Sequence, residues 1–242
     1  MKTLIQKLVA IPGPSGYENE IREAVRAEIE AYADEIRVDA LGNLIARKAA
    51  SGAKPSGQRV MLSAHLDEIG IIATHIDENG FVRFSNLGGV FPRYTPAGRV
   101  RFLNGAAGVI DTEKIESSFR VPPIDEMFID VGASSRADCL VKVGDVAVFE
   151  RPFSEMGNRL VSKAMDDRVS VAILIAALKA LKASPHDLYF VFSVQEEVGV
   201  RGAATAAFGI EPTLGLAVDV TRTGDTPKGI TMEVSLGQGP AI

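Results

Sequence analysis

Six histidine and carboxylate side chains in this sequence either follow apolar runs or begin a helical pattern. They are His65, Asp67, Asp166, Glu196, Glu197 and Asp219. Imidazole nitrogens and carboxylate oxygens bind Zn²⁺ and similar divalent ions, and a carboxylate can also accept a proton during catalysis. The apolar runs VMLSA, LYFVFSV and LGLAV are typical of strands, and in parallel sheets ligands bind where such strands end. The pattern therefore predicts a metal site with an acid–base group beside it.

Each of these residues has a simpler explanation when it is taken alone. Asp166 could complement the dipole of its helix, and Asp219 could begin a turn. His65 could be a hydrogen-bonded core histidine, and the two glutamates could be solvated acids just beyond a strand. By accident, however, four separate segments would each have to place a histidine or an acid at the matching end of an apolar element. The combined pattern therefore favours a metal site.

The spacing within each segment predicts how the side chains are used. Successive side chains of a strand point to opposite faces, so if the strand continues through Glu196 and Glu197 they have different tasks. One would bind a metal and the other would act as a base. His65 and Asp67 are two positions apart and share a face, so Asp67 can orient the imidazole.

The elements that must position these residues alternate between helix and strand. Helical patterns begin at Leu4 and in YENEIREAVRAEIEAYA and AMDDRVSVAILIAALKALKA, and a short helix is expected around GAATAAF. NLIAR, RVMLSAH, LYFVFSV and LGLAVDV are typical of strands. We therefore expect an α/β fold with a mainly parallel sheet flanked by helices.

The middle of the chain has a different pattern. From Ile69 to about Leu160, short alternating segments are separated by turn pairs such as Asn79-Gly80 and Asn104-Gly105. This predicts a small β-barrel or sandwich inserted into the α/β chain. The expected division is residues 1–68 and 161–242 for the two parts of the α/β domain, with residues 69–160 as the insertion.

Composition excludes several classes of partner. The chain has 242 residues, of which 46% are hydrophobic, and a net charge of −5. Without a long basic run, neither nucleic acid nor a membrane surface is an expected partner, which favours a small-molecule or peptide substrate. No apolar leader or bilayer-spanning segment is found, so we expect a cytoplasmic protein. His75 and His186 are expected to face solvent rather than bind metal, and the single Cys139 to pack as a small apolar residue.

Several motifs together resemble the M42 peptidase family of metallo-aminopeptidases. They are PGPSGYE, SAHLDEIG, AMDDR, VQEEVGVRGA and AVDVT, and MFIDVGASSRADC with VKVGDVAVF resembles the family's inserted domain. The resemblance covers essentially the whole chain. It implies a zinc-peptidase-like fold with an inserted PDZ-like β-barrel that serves oligomerisation, and a homo-oligomer in which dimers build a tetrahedral dodecamer.

The resemblance also implies a role for each residue of the site. The substrates would be peptides with a free N-terminus, and two divalent ions would hold a bridging water. Zn²⁺ is the first expectation for these ions, with Co²⁺ or Mn²⁺ as alternatives. By this resemblance, His65 binds one metal and Asp166 bridges the two. Glu197 and Asp219 complete the protein ligands of the separate ions. Asp67 orients the imidazole of His65, and Glu196 is the general base.

The sequence departs from the family pattern at its end. It stops at LGQGPAI, before a late histidine that ligates the second metal in the family, and such a C-terminal truncation is expected to expose an apolar sheet edge. An inactive fragment that acts only in assembly or binding is therefore one alternative. A related dinuclear-zinc carboxypeptidase or deacylase is another. Glycoside hydrolysis is not favoured, because paired carboxylates alone would not explain His65.

Overall fold

The computed structural model describes residues 1–51, 55–114 and 120–242. Within these ranges the α-helices are α1 (Lys2–Ala10), α2 (Asn19–Ile29), α3 (Met165–Ala180) and α4 (Arg201–Ile210). All four lie where the helical patterns predict them. None of the described helices is both long enough and apolar enough to cross a membrane.

The strands fall into a sheet, a barrel and a hairpin. They are β1 (Glu35–Val38), β2 (Leu44–Lys48), β3 (Arg59–His65), β4 (Gly70–Ile76), β5 (Val82–Leu87), β6 (Arg99–Phe102), β7 (Ala107–Thr112), β8 (Met127–Asp130), β9 (Val146–Phe149), β10 (Ser154–Met156), β11 (Arg159–Val161), β12 (Asp187–Ser193) and β13 (Leu214–Ala217). Strand β1 has no counterpart in the sequence analysis, because its short run EIRV is largely exposed and carries little apolar pattern.

The main sheet is mixed, with strand order β1-β2-β12-β3-β13. Strands β12, β3 and β13 are mutually parallel, whereas β2 runs antiparallel to both β1 and β12. The expectation of a mainly parallel sheet is therefore wrong for the β1–β2 side. A tight turn joins these two strands, and the Asp39 carboxylate accepts hydrogen bonds from the backbone N–H groups of Leu41, Gly42 and Asn43. Such a short connection can join only antiparallel strands.

Helices cover both faces of this sheet. Side chains of α1, α2 and α3, including Leu8, Ile21 and Leu174, pack with Phe190 on one face. The neighbouring Val191 points to the other face and packs with residues of α4. The period-2 alternation of β12 thus joins two apolar layers through one strand, which explains why its sequence is almost continuously apolar.

The inserted segment forms a closed barrel rather than a sandwich. Its strand order is β4-β5-β8-β7-β6-β9, and its interior includes Ile71, Phe84, Phe102 and Ile110. The hairpin of β10 and β11 follows as a separate two-stranded sheet. The predicted boundary at residue 160 assigns most of this hairpin to the insertion.

Strand β13 lies at the edge of the main sheet, and its residues are exposed. Leu214 and Leu216 retain 61% and 53% of their accessible surface. The apolar edge expected from the sequence is present on this strand.

Candidate metal centre

Three parallel strands bring the predicted residues to one edge of the sheet. His65 is the last residue of β3, the glutamate pair follows β12, and Asp219 lies two positions after β13. Because β12 and β13 flank β3 in parallel register, their carboxyl ends open onto the same space. Asp166 enters this space from the beginning of α3.

Asp166 and Asp167 do not have helical backbone angles, although they fall within the bounds of α3. Their φ/ψ values are −79°/107° and −121°/31°, and the peptide bond between them is cis. The regular helix therefore begins after them, although both carboxylates lie at its N-terminal end. The extended backbone at Asp166 instead turns its carboxylate toward His65.

His65 is almost fully buried and contacts carboxylates on several sides. Its Nε2 atom lies 3.0 Å from Asp166 Oδ1 and 3.8 Å from Glu196 Oε2. Its Nδ1 atom lies 3.0 Å from the backbone carbonyl oxygen of Asp67. Because a carbonyl can only accept, Nδ1 carries a proton there, and Nε2 of the neutral ring is left free for a metal ion.

The surroundings of His65 change its pKa. Burial disfavours the charged imidazolium, but hydrogen bonds to Asp166 and Asp67 outweigh burial and raise the pKa of His65 to about 11. The metal-free site therefore holds a proton on the imidazole, and a metal ion bound at Nε2 would displace that proton.

Asp67 contacts His65 less through its carboxylate than the sequence predicts. Its Oδ1 atom is 3.4 Å from Nδ1, farther away than its own carbonyl oxygen. The carboxylate instead accepts hydrogen bonds from Ser15 Oγ at 2.6 Å and from the N–H groups of Glu196 and Glu197 at 2.9 and 3.1 Å. Burial raises the pKa of Asp67, but its hydrogen bonds from His65 and Ser15 lower it by more.

The two glutamates face the same space, contrary to the alternation expected from a continuing strand. Strand β12 ends at Ser193, and Gln195 has a φ of +56°, which is left-handed. This turn cancels the alternation, and ligand atoms of Glu196, Glu197 and His65 all lie within 4.8 Å of one another. Strand β12 ends three residues before Glu196, so the condition for opposite faces, a strand that continues through both glutamates, is not met.

The inserted barrel reaches Glu197 through the turn after β5. A Cβ atom added at Gly88 would lie 2.8 Å from Glu197 Cβ, and the Gly89 N–H donates to Glu197 Oε2 at 3.5 Å. Burial, followed by repulsion from Asp166, raises the pKa of Glu197 to about 7. The insertion thus forms one wall of the site.

The residues present fit divalent metal ions. Two overlapping groups have ligand atoms within 4.8 Å of one another, the first formed by His65, Asp166 and Asp219 and the second by His65, Glu196 and Glu197. One imidazole among four carboxylates is a donor set suited to Zn²⁺, Co²⁺ or Mn²⁺. Burial first and repulsion from Asp166 second raise the pKa of Glu197, and a bound cation would offset both effects. His75 and His186 belong to neither group.

The two remaining histidines differ from each other. His75 is exposed, as predicted. His186 is half-buried rather than fully exposed, and its Nδ1 atom lies 2.6 Å from Ser56 Oγ. Cys139 is half-buried and packs against the barrel core.

A cleft of about 450 Å³ opens between the barrel and the sheet beside this centre. Asp166 and Glu197 lie on its wall together with Phe91, Phe149 and Met165. It is large enough for an amino-acid side chain and part of a peptide. Carboxylates at one place and aromatic rings at another give it both polar and apolar binding surface.

Sequence reasoning missed several buried polar residues around the centre. Asp167 accepts a hydrogen bond from the His65 N–H at 3.2 Å, and burial raises its pKa to about 7. Glu68 accepts from Lys163 Nζ at 2.6 and 2.8 Å, which ties the start of the barrel to the approach of α3. The sequence signal for these residues is their position, since Glu68 and Asp167 directly follow Asp67 and Asp166, respectively.

A family model described as M42 glutamyl aminopeptidase matches residues 42–242. The chain belongs to the M42 peptidase family. Its members are aminopeptidases and metal-dependent hydrolases, which agrees with the reaction class and the metal site expected from the motifs.

Individual M42 relatives support the same assignment. A protein of Acetivibrio thermocellus is 49% identical over 245 residues, which cover 100% of this chain and 72% of the relative. An aminopeptidase from the archaeon Desulfurococcus kamchatkensis superposes with a TM-score of 0.91 at 39% identity, covering 99% of this chain and 68% of that structure. The TET1 peptidase of Pyrococcus horikoshii has a TM-score of 0.81 at 34% identity, with coverages of 93% and 72%.

Proposed function

We propose that this chain is a dinuclear-metal aminopeptidase that removes residues from the N-terminus of peptides. The observation that carries the proposal is the pair of ligand groups that share His65 at the sheet edge. His65, Asp166 and Asp219 would hold one ion. Glu197 would bind the second ion, and Asp166 would bridge the two. Zn²⁺ suits this donor set, with Co²⁺ or Mn²⁺ as alternatives.

Glu196 is the proposed general base. When bound, the ions would polarise the scissile carbonyl and make water a stronger nucleophile. Glu196 would accept the proton of the attacking water and return it to the leaving amine as the peptide C–N bond breaks. Burial raises the pKa of Glu196, His65 opposes this rise, and Asp67 adds to it. A raised pKa suits a carboxylate that both takes and returns a proton.

The cleft supports action at a free N-terminus. Asp166 and Glu197 lie on its wall, so the ions that they would hold face the cleft, and the free α-amino group of the peptide would bind near one of these ions. Phe91 and Phe149 would contact the side chain of the residue to be released. Comparing a peptide with a free α-amino group and the same peptide N-acetylated tests this directly. Equal cleavage of both would favour the carboxypeptidase or deacylase alternative.

Assembly into a homo-oligomer is a further part of the proposal. Its support is the similarity to the Pyrococcus horikoshii TET1 peptidase, which is described as assembling into a tetrahedron or a large octahedral shell. Residues 69–160 would act as a PDZ-like oligomerisation domain, and dimers would build a tetrahedral dodecamer. Residues 1–68 and 161–242 would form the catalytic domain. A light-scattering mass equal to the 25.8 kDa of one chain would contradict assembly.

Glu196→Gln is the decisive test of the proposed reaction. The variant should lose turnover by about 10²-fold or more, since it cannot accept a proton. Metal bound per chain, measured by elemental analysis after zinc loading and desalting, should equal that of the unmodified chain. Glu20→Gln, an exposed change on α2, is the control and should alter neither value. Loss of metal with Glu196→Gln would undo the base assignment, and an unmodified chain without metal or turnover would favour a role in assembly alone.

A further inference from the structure

Glu18 is a buried carboxylate that does not cap the helix it precedes. It occupies the N-cap position of α2 without a side-chain hydrogen bond to that helix, and only 4% of its surface is exposed. Its Oε1 atom accepts hydrogen bonds from the Gly16 N–H at 2.8 Å and from the Gln195 N–H at 3.0 Å. The second bond spans 177 positions and reaches the residue before Glu196.

Gln195 is the residue whose conformation decides where Glu196 points. Its φ of +56° places it in the left-handed region, which is unfavourable for a residue with a Cβ atom. Such a conformation persists only when surrounding contacts hold it. If Gln195 relaxed to an extended conformation, the strand alternation would continue and the two glutamates would point to opposite faces.

Side chains, rather than a neighbouring strand, accept the hydrogen bonds of the backbone N–H groups in this turn, whereas its carbonyl groups accept from the start of α4. The Val194 N–H donates to Asn43 Oδ1 at 3.0 Å, and the Gln195 N–H donates to Glu18. The next two N–H groups, of Glu196 and Glu197, donate to Asp67 at 2.9 and 3.1 Å. Four consecutive backbone donors thus end on three side chains from distant segments. Backbone groups that are not exposed need such partners, and here the partners also set the direction of the chain.

We propose that Glu18 is a positioning residue for Glu196: it holds the left-handed conformation of Gln195 and thereby aims the Glu196 carboxylate into the cleft. Among the described residues, the Glu18 carboxylate accepts hydrogen bonds from Gly16 and Gln195, and neither is a proposed ligand. The effect of Glu18 on catalysis rests on the proposed function, whereas its effect on the conformation of the turn does not.

Two variants of similar size separate this role from simple packing. Glu18→Met fills the same space but accepts no hydrogen bond, whereas Glu18→Gln keeps an Oε1 acceptor for both N–H groups. With a metal-loaded chain and a peptide substrate, Glu18→Met should lower kcat by about 10- to 100-fold, as expected for a misplaced reacting group. KM and metal bound per chain should change by less than about twofold, since ligands and cleft are not altered. Glu18→Gln should recover most of kcat.

Hydrogen exchange measured by mass spectrometry gives a readout that does not depend on activity. In the metal-free chain, Glu18→Met should speed exchange in the peptide that contains Gln195, while the core of α3 stays protected. Glu18→Gln should leave exchange slow. Should Glu18→Met not fold, as judged by circular dichroism, Glu18→Asp takes its place, because it keeps the charge but shortens the reach by one methylene.

The outcomes distinguish the two levels of the proposal. An unmodified chain with metal but no peptidase activity would overturn the proposed function, and the exchange rates would still decide whether Glu18 holds the turn. An active chain whose kcat falls equally in Glu18→Met and Glu18→Gln, or in neither, would overturn the positioning role. Unchanged exchange at Gln195 in Glu18→Met would overturn it as well.

Discussion

His65 Nε2 lies 3.0 Å from Asp166 Oδ1, so the carboxyl end of β3 meets the residues that precede the regular part of α3. The two residues are 101 positions apart, and the whole barrel lies between them in the sequence. Closing this contact therefore requires the α/β chain to fold across its insertion. The candidate metal centre exists only in the folded chain, so its affinity for metal reports correct folding as well as ligand identity.

Removing the imidazole should strongly weaken metal binding. His65 belongs to both ligand groups, so His65→Ala should weaken zinc binding by well over tenfold, more than the loss of a residue that merely supports a ligand. Isothermal titration of the metal-free chain measures this. His75→Ala and His186→Ala are matched controls that should bind as the unmodified chain does. Equal weakening in the three variants would contradict the assignment of His65.

The approach of the barrel to Glu197 can be tested with a pair of glycine variants. Gly88 and Gly105 both have left-handed φ values, +80° and +94°, so an alanine at either position costs about 1 kcal/mol in the backbone. Only at Gly88 would the new Cβ atom meet Glu197, at 2.8 Å, whereas the space at Gly105 is open. Gly88→Ala should lower turnover by about 10- to 100-fold. Gly105→Ala should keep the turnover of the unmodified chain, although it should lose about as much thermal stability as Gly88→Ala. Equal turnover in the two variants would show that this wall does not affect the site.

Arg168 should contribute strongly to stability. Its guanidinium is fully buried and donates to the carbonyl oxygens of Leu66 at 2.7 Å, Leu8 at 2.6 Å and Ile11 at 2.9 Å. Arg168→Met should reduce the free energy of unfolding by about 3 kcal/mol, because it removes buried hydrogen bonds whose acceptors remain. The free energy of unfolding of Arg168→Lys should lie between those of the unmodified chain and Arg168→Met, since one ammonium reaches fewer of these oxygens. Urea denaturation measures all three chains, and a loss below about 1 kcal/mol in Arg168→Met would contradict this account.

The ion pairs of Glu28 should make stability depend on pH. Hydrogen bonds from Lys179 on α3 and Lys7 on α1 hold the pKa of Glu28 below its ordinary value of 4.5. A carboxyl whose pKa is lowered by folding stabilises the fold above the unfolded-state value, and this stabilisation is lost as pH falls through the folded-state value. Glu28→Gln should therefore cost about 0.5 kcal/mol near pH 7 and nothing at sufficiently acidic pH.

Thermal unfolding of the unmodified chain and of Glu28→Gln, measured from neutral to acidic pH, tests the Glu28 prediction. Glu20→Gln, an exposed change on the same helix, is the matched control. A Glu28→Gln difference that persists undiminished below pH 3 would assign the effect to packing rather than to charge.

Much of the local structure could be predicted from the sequence. The spacing of Ile21, Val25 and Ile29 predicts α2, and all three side chains are fully buried. The apolar run LYFVFSV predicts strand β12, and the structure packs apolar residues on both faces of this strand. Such signals are readable because side-chain periodicity is set by neighbouring residues alone.

The conformation of the glutamate turn could not be predicted in this way. Strand alternation would place Glu196 and Glu197 on opposite faces if β12 continued through them, but the left-handed backbone at Gln195 brings both into one space. Nothing within the local sequence demands that conformation. It is consistent with hydrogen bonds to Glu18 and Asp67, which lie 177 and 129 positions away from their partners.

The sequence by itself determined which residues of this protein are available for chemistry and which strands carry them to the sheet edge. Apolar runs select the strands, and parallel neighbours share a carboxyl edge. Only the tertiary structure decided how β2 pairs, how the barrel approaches Glu197 and how the Glu196 turn is held. These features depend on contacts between segments far apart in the chain, whose partners are chosen by burial and by the need to satisfy backbone donors rather than by any local pattern.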